Sequence, residues 1–295
     1  MKEITILSGK GGTGKTTVTA ALASLAQNIV LCDNDVDAAD LHLLMKPVVQ
    51  KEFVFAGAWQ ASVNEKECIQ CNICIDACRF DAIKINVNGF VEVQPFKCEG
   101  CRLCEKVCPV AAIDAERSTN NHWYISNTRY GTMVHATMGP GEENSGKLVS
   151  TLRKEARRIA VDNELEFIIN DGPPGIGCSA ISALTGTNLV VLVTEPSKSG
   201  LMDASRLVEL TQSFEIPIVA AINKADINES ICLSMENYFV NQGIPLLAKI
   251  PFSKDVVKAM IQGETILEYK PYSELSRALI EVWDYINMQQ LEKKL

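Results

Sequence analysis

The sequence predicts an α/β protein with a mainly parallel β-sheet flanked by helices, into which a small α+β domain is inserted. Short, largely apolar runs alternate with helical segments along most of the 295 residues. That alternation is typical of buried parallel strands joined by crossover helices. A cysteine-rich stretch interrupts it once, so we expect a discontinuous main domain over 1–60 and 117–295 and an insert over 61–116.

The main domain is predicted from six apolar runs: Ile4–Leu7, Ile29–Cys32, Phe167–Ile169, Leu189–Val193, Ile218–Ile222 and Leu246–Ile250. A helix rich in Ala and Leu is expected after the first run, ending near Gln27. Ser145 is a candidate N-cap for a helix that ends near Val161. A last helix, Tyr272 to about Gln290, has apolar residues at helical spacing and acidic residues on its polar side. This pattern favours core packing over a membrane surface.

Composition and charge bound the class of protein. Hydrophobic residues make up 47% of the chain, enough for a substantial buried core. The net charge of −8 argues against general nucleic-acid binding, and no apolar run approaches the ~20 residues of a membrane-spanning helix. Eleven cysteines without a signal-peptide pattern do not indicate a disulfide framework. We therefore expect a cytoplasmic protein with no nucleic-acid partner and no membrane insertion.

A glycine-rich loop follows the first apolar run. The sequence Gly9-Lys10-Gly11-Gly12-Thr13-Gly14-Lys15-Thr16 fits G-x-x-x-x-G-K-[ST] between a strand and a helix. Its backbone N–H groups can converge on phosphate oxygens, Lys15 can reach the β- and γ-phosphates, and the Thr16 hydroxyl can ligate Mg²⁺. We predict a nucleotide site formed by this loop through Thr17; a plain glycine-rich turn is the alternative.

With a second lysine, Lys10, early in the loop, residues 9–17 resemble the deviant Walker A loop of the MinD/ParA/Mrp family of ATPases. The resemblance implies a P-loop NTPase fold, ATP/ADP and Mg²⁺ as cofactors, and a Lys10 that crosses a dimer interface to the partner's nucleotide. The alternative for Lys10 is a solvated side chain that raises the local positive potential. The resemblance permits a homodimer or a heterodimer with a related ATPase.

Acidic residues at two strand ends extend the resemblance. After the second run, Asp35 is implied to orient or activate the attacking water and Asp33 to support the Mg²⁺ shell. Carboxylates at such positions are also common helix caps, and that alternative stays open. After the third run, Asp171 is implied as a carboxylate behind the Mg²⁺ ligands. The predicted catalytic residues are Lys10, Lys15, Asp35 and Asp171.

A base-binding segment is predicted at Asn223-Lys224-Ala225-Asp226, which reads as a guanine-type N-K-x-D sequence. Asp226 could accept hydrogen bonds from a guanine edge, so GTP remains an alternative. The wider match favours ATP, and the resemblance implies that Asn223 contacts adenine and that the loop at Pro251 borders the base.

The insert carries eight cysteines in two runs with the same spacing: Cys68-x2-Cys71-x2-Cys74-x3-Cys78 and Cys98-x2-Cys101-x2-Cys104-x3-Cys108. This doubled spacing matches the bacterial ferredoxin pattern for two [4Fe-4S] clusters, in which the distant cysteine of each run crosses to the other cluster. We expect cluster 1 on Cys68, Cys71, Cys74 and Cys108, and cluster 2 on Cys98, Cys101, Cys104 and Cys78. Two zinc sites are the alternative. Arg79 departs from the pattern, because proline usually follows the fourth cysteine.

Three cysteines lie outside these runs: Cys32, Cys178 and Cys232. For Cys32 and Cys232 we expect burial as small apolar residues. For Cys178, just beyond the Asp171 segment, we favour packing over a role in cluster transfer.

A function for this chain has to use both the phosphate loop and the cysteines. We expect an ATPase that couples ATP binding, hydrolysis and dimerisation to electron transfer or redox sensing, with an unidentified redox or iron–sulfur client protein as partner. The alternatives are an Mrp-like carrier of iron–sulfur clusters and a MinD/ParA-like spatial organiser in which the clusters are structural.

Overall fold

The computed structural model describes residues 1–139 and 146–292 and divides into two compact units. The first, called the sheet unit, comprises Met1–Glu52, Tyr124–Ala136 and the chain from Gly146 onward. The second, called the cysteine unit, comprises Phe53–Trp123 and a segment that begins at Thr137.

The strands and helices are numbered along the chain. The strands are β1 Lys2–Ser8, β2 Ile29–Asp33, β3 Val48–Phe55, β4 Trp59–Val63, β5 Ile83–Ile85, β6 Val91–Val93, β7 Ile113–Arg117, β8 Asn121–Asn127, β9 Thr132–Thr137, β10 Phe167–Pro174, β11 Leu189–Thr194, β12 Ile218–Asn223 and β13 Leu246–Ile250. The helices are α1 Lys15–Leu25, α2 Leu41–Met45, α3 Ile73–Ala77, α4 Leu103–Val107, α5 Lys147–Asp162, α6 Cys178–Leu184, α7 Lys198–Ser213, α8 Glu229–Asn241, α9 Asp255–Gln262, α10 Ile266–Tyr269 and α11 Glu274–Glu292, with a 3₁₀ turn at Pro95–Lys97.

The sheet unit is built on parallel strands in the order β13-β12-β11-β1-β10-β2-β9, and β8 and β3 extend the sheet beyond β9. Helices cover both faces. Alternate residues of β11 show this directly, because Val191 packs in one core cluster with α1 and α11, whereas Val190 packs in another with α5 to α8. The predicted α/β fold with a mainly parallel sheet flanked by helices is confirmed.

The six predicted apolar runs fall in β1, β2 and β10 to β13. Most were recognisable because nearly every residue of β1, β2, β10 and β11 is buried. Strand β3 was not predicted, because its apolar residues neither alternate with polar ones nor form a continuous run, and most of the strand is exposed. The candidate cap Ser145 lies outside the described residues, and the predicted C-terminal helix corresponds to α11. Among residues 1–139 and 146–292, no helix is long and apolar enough to cross a membrane.

The cysteine unit contains two short antiparallel pairs, β4 with β7 and β5 with β6, and the one-turn helices α3 and α4. Its apolar core is small. One cluster of buried residues comprises Ala61, Cys74, Ile83, Val91, Val93 and Ile113. Five more cysteines pack at the rim of this core, so thiols take positions that aliphatic side chains fill elsewhere.

Candidate functional site

The phosphate loop, residues 9–17, connects β1 to the first turn of α1. Gly12 and Gly14 have φ angles of 76° and 96°, in the left-handed region that glycine adopts without strain. A Cβ atom on Gly14 would lie 2.3 Å from the Asn223 amide nitrogen, which donates to the Thr13 carbonyl oxygen at 2.7 Å. The loop and the residue predicted to contact the base are therefore in direct contact.

Lys15 lies at the start of α1 and is only 5% exposed. Its ammonium group donates to Oδ2 of Asp35 at 3.2 Å. Burial raises the pKa of Asp35, and the charge and hydrogen bond of Lys15 oppose that rise only in part. The structure thus brings together two of the predicted catalytic side chains, and a phosphate group would compete with Asp35 for the lysine.

Asp171 is completely buried on β10 beneath the first turn of α1. Its two carboxylate oxygens accept hydrogen bonds from the Thr16 hydroxyl at 2.7 Å and the Thr19 hydroxyl at 2.9 Å. Burial raises its pKa to about 6, against the lowering effects of Lys15 and the two threonines. Sequence reasoning did not include Thr19, whose position one turn after Lys15 was the available signal.

Asp33, at the end of β2, completes a cluster of three buried carboxylates. One oxygen accepts from the Asp35 backbone N–H at 3.2 Å, whereas the other has no hydrogen-bond partner among the described residues. Burial, followed by the charges of Asp171 and Asp35, raises its pKa well above the ordinary value. A buried acceptor without a donor, beside two carboxylates and a single lysine, fits an added cation. Mg²⁺ suits this site because it takes few protein oxygens and completes its shell with water and phosphate.

A cavity of about 440 Å³ extends from the phosphate loop to the loop at Pro251, and its volume is within the range of small-molecule sites. Gly12, Thr16, Asp35, Asn223, Lys224 and Pro251 are among its lining residues. The Asp226 carboxylate accepts the Phe252 backbone N–H at 2.7 Å. This hydrogen bond attaches Asp226 to the loop that follows β13. The N-K-x-D pattern did not predict this contact.

Lys10 contacts different residues from those that Lys15 contacts. Its ammonium forms an ion pair with Glu195 at 2.7 Å and donates to Ser197 Oγ at 3.0 Å. Glu195 was absent from the predicted site residues. Its position directly after β11 was a signal that could have found it. The carboxyl ends of parallel strands lie at one edge of the sheet, where the phosphate loop also lies.

The eight cysteines of the cysteine unit surround two separate pockets. One is lined by Cys68, Cys71, Cys74 and Cys108, and the other by Cys78, Cys98, Cys101 and Cys104. Apolar side chains form much of both walls. Each pocket therefore receives three cysteines of one run and the distant cysteine of the other, which is the distribution that the spacing predicts.

The two halves of the cysteine unit repeat the same unusual backbone. Three equivalent pairs of residues have φ angles between 50° and 63°: Gln70 and Gly100, Asn72 and Arg102, and Asp81 and Ala111. Five of the six are not glycine, so each costs about 1 kcal/mol or more and needs compensation. The distant cysteines each accept a backbone hydrogen bond at sulfur, from Ala82 N–H at 3.4 Å and from Ala112 N–H at 3.2 Å. Loops of this shape direct N–H groups inward, as anionic sulfur sites require.

The remaining cysteines divide by burial. Cys32 and Cys232 are buried, as expected, but Cys178 is exposed. The packing expectation for Cys178 is wrong, because this residue begins α6 with its side chain exposed. In the described part of the chain, no three His, Cys, Asp or Glu side chains are arranged to hold a single metal ion.

Comparison with known proteins places these features in context. Residues 4–266 match the CobQ/CobB/MinD/ParA nucleotide binding domain. An uncharacterized protein of Methanocaldococcus jannaschii is 31% identical over 96% of this chain and 95% of its own length. An iron-sulfur cluster carrier protein of Pyrococcus horikoshii is 25% identical over 94% of this chain and 85% of its own length.

Among solved structures, the septum site-determining protein MinD of Pyrococcus horikoshii, complexed with Mg-ADP, superimposes with a TM-score of 0.59 at 19% identity. The match covers 97% of this chain and 95% of that one. At this level of identity the likeness concerns the fold.

Proposed function

The chain belongs to the CobQ/CobB/MinD/ParA nucleotide-binding family and is an ATPase, and we propose that it couples its nucleotide cycle to two [4Fe-4S] clusters. ATP binding, hydrolysis and dimerisation would drive electron transfer or redox sensing. The proposed ATPase domain is 1–60 with 117–295, and the proposed ferredoxin-like insert is 61–116.

The observation that carries the proposal is the sorting of eight cysteines into two pockets of four. Its support is the repeated left-handed backbone and the N–H groups directed at Cys78 and Cys108. Clusters bound in these pockets would exchange single electrons with a partner. Cys71 and Cys101 are exposed, so each pocket has one ligand at the protein surface.

Hydrolysis requires the chain to hold the phosphates and to orient a water for in-line attack. We assign charge stabilisation to Lys15, and Mg²⁺ would neutralise phosphate charge when held by the Thr16 hydroxyl with Asp33 and Asp171 behind it. Asp35 gives up Lys15 to the phosphate and is then a free acceptor for the attacking water. Asn223 and the loop at Pro251 border the base, for which we propose adenine.

We propose that Lys10 acts on the nucleotide of a second protomer, which is either another copy or a related ATPase. Lys10→Ala should then reduce ATP turnover while nucleotide binding by the monomer changes little. Turnover at the wild-type rate would contradict this assignment.

The proposed coupling is supported by chain order, because the cysteine unit begins at Phe53, a short distance after Asp35 in the sequence. Anaerobically purified protein is assayed for iron and sulfide and then for ATP hydrolysis, oxidised and after reduction with dithionite. We expect about eight iron atoms per chain and different hydrolysis rates in the two states. A cluster-free variant, with Cys74 and Cys104 both changed to Ser, is the control for direct effects of dithionite. Equal rates in the iron-loaded protein would contradict the coupling.

A carrier of iron–sulfur clusters is the second candidate, favoured by the relatives that are named as such. It predicts that labelled iron moves to an apo-ferredoxin acceptor, faster with ATP. Retention of the label during repeated ATP turnover would favour electron transfer.

A further inference from the structure

Glu195, at the turn between β11 and α7, uses both carboxylate oxygens to bind lysines of the phosphate site. Oε1 lies 2.7 Å from the Lys10 ammonium and Oε2 lies 2.8 Å from the Lys224 ammonium. Lys224 also donates to the Gly12 carbonyl oxygen at 2.9 Å. A single carboxylate thus connects two cations at the phosphate loop.

The ionic state of this cluster is defined by its surroundings. The side chains of Glu195, Lys10 and Lys224 are 21%, 29% and 27% exposed. Burial by itself raises the pKa of Glu195, but the hydrogen bonds from Lys10 and Lys224 outweigh it and the net pKa is lowered. The carboxylate is therefore charged at neutral pH, and it offsets part of the positive electrostatic potential that the two lysines create at the phosphate loop.

The backbone fixes Lys10 beside this turn. A Cβ atom on Gly9 would lie 2.4 Å from Asp203 Cβ and 2.6 Å from its carbonyl carbon, so the loop is in van der Waals contact with α7. Ser197 caps α7 by accepting the Gly200 N–H, and it also accepts from Lys10. The ammonium group of Lys10 is consequently bound by side chains of the β11–α7 turn.

We propose that Glu195 is a positioning residue that retains Lys10 on the β11–α7 turn until ATP and a second protomer offer a phosphate in its place. This rests on the proposed function of Lys10 in a nucleotide-dependent dimer. The carboxylate and a phosphate are alternative anions for the same ammonium, so the ion pair opposes dimerisation by the free energy needed to break it.

The test is the protein concentration at which protomers associate in ATPγS, measured by sedimentation. Glu195→Gln keeps the shape of the side chain and removes its charge. A partly exposed ion pair contributes up to ~1 kcal/mol, which is about fivefold in an equilibrium constant. Each protomer of a homodimer breaks its own pair, so the half-association concentration should fall by up to roughly 25-fold, and by about fivefold for a dimer with a related ATPase. Glu236→Gln is the matched control, because it removes another Glu–Lys ion pair, at 3.1 Å to Lys249, that has no contact with the phosphate loop.

Lys10→Ala shows whether Glu195 acts through Lys10. In the Lys10→Ala background, Glu195→Gln should leave association unchanged. Weaker or unaltered association of the single variant Glu195→Gln, or an equal gain in the Lys10→Ala background, would overturn the proposal.

These results distinguish a failure of the positioning role of Glu195 from a failure of the proposed function. Wild-type protein that neither binds nor hydrolyses ATP would overturn both. Wild-type protein that hydrolyses ATP and associates in ATPγS, beside a Glu195→Gln variant that behaves identically, would overturn the role of Glu195 alone.

Discussion

The sheet unit and the cysteine unit hold their sites in different ways. The sheet unit has two apolar clusters that pack on opposite faces of the parallel strands, and its polar site residues lie at one edge of that scaffold. The apolar cluster of the cysteine unit contains six buried residues, one of them a cysteine, with five more cysteines packed at its rim. In one unit the site is added to a core, whereas in the other the site residues are much of the core.

This difference bears on what each unit needs in order to fold. Within the sheet unit, Lys15 is hydrogen bonded to Asp35 and Thr16 is hydrogen bonded to Asp171. Each cysteine pocket gathers four thiols beside a small apolar core, and the left-handed backbone recurs in both halves. Metal ligation is what stabilises so short a stretch. We therefore expect the sheet unit to fold without ligand and the cysteine unit to require its clusters.

The largest expected effect comes from removing cluster ligands. Cys104→Ser should lower the iron content from about eight atoms to about four per chain and destabilise the cysteine unit. ADP affinity of the sheet unit should stay within about twofold, because its core is separate. Iron analysis and limited proteolysis measure the two effects. Cys178→Ser, at an exposed position, is the control and should retain all iron; loss of ADP binding in Cys104→Ser would break the comparison.

The next effect concerns the preformed phosphate site. Lys15→Ala should reduce ATP hydrolysis by roughly a thousandfold, because a buried cation at the phosphate loop is lost from the transition state. Iron content should be close to that of the wild type, whereas the unfolding midpoint should fall, because Asp35 loses its buried ion-pair partner. Steady-state phosphate release is the measurement, with Lys147→Ala on the surface of α5 as control. Hydrolysis that survives in Lys15→Ala would place the catalytic site elsewhere.

A smaller effect follows from Asp171. Its pKa is raised in the folded protein, so folding favours the protonated form and the apo protein loses stability as the pH rises from about 4 to about 6. Without Mg²⁺, Asp171→Asn should remove that dependence and raise stability at pH 7 by roughly 1–3 kcal/mol.

Urea unfolding at pH 5 and pH 7 provides this measurement. Asp162→Asn, at an exposed ion pair with Arg158, is the control and should be nearly neutral. A variant at Asp171 that is less stable than the wild type at both pH values would show that the threonine hydrogen bonds outweigh the cost of burial.

The smallest effect is expected at the base side. Asp226→Asn should weaken ATP binding only a few-fold, because the Phe252 N–H retains an amide oxygen as acceptor. GTP should bind more weakly than ATP to both proteins. Fluorescent-nucleotide titration measures both affinities. A wild-type protein that prefers GTP, and loses that preference in Asp226→Asn, would reassign the base.

The fold was predictable to the extent that its signals are local. Buried strands such as β11 can be recognised in the sequence as continuous apolar runs, and the phosphate loop has a fixed spacing of glycine and lysine. Contacts between distant segments have no such signal. Glu3 is buried against Arg153 on α5, and Asn170 donates to it at 2.9 Å; neither a charged residue in β1 nor one in α5 indicates the other.

The same distinction applies to the site. Lys10 was recognisable from the loop, but its resting partner Glu195 lies 185 positions later and depends on the strand order that brings β11 beside β1. Asp226 fitted a base-recognition pattern, and only the fold reveals its bond to Phe252. Spacing predicted the grouping of the cysteines because both runs lie within one short, repeated stretch.

The central claim is that nucleotide state and cluster state are linked in one chain. The most direct test is a redox titration of the iron-loaded protein, followed by electron paramagnetic resonance, in ADP and again in ATPγS. We predict that at least one cluster midpoint differs between the two nucleotides, and that Lys15→Ala abolishes the difference. Midpoints that coincide in ADP and ATPγS, with nucleotide shown to be bound, would contradict the account.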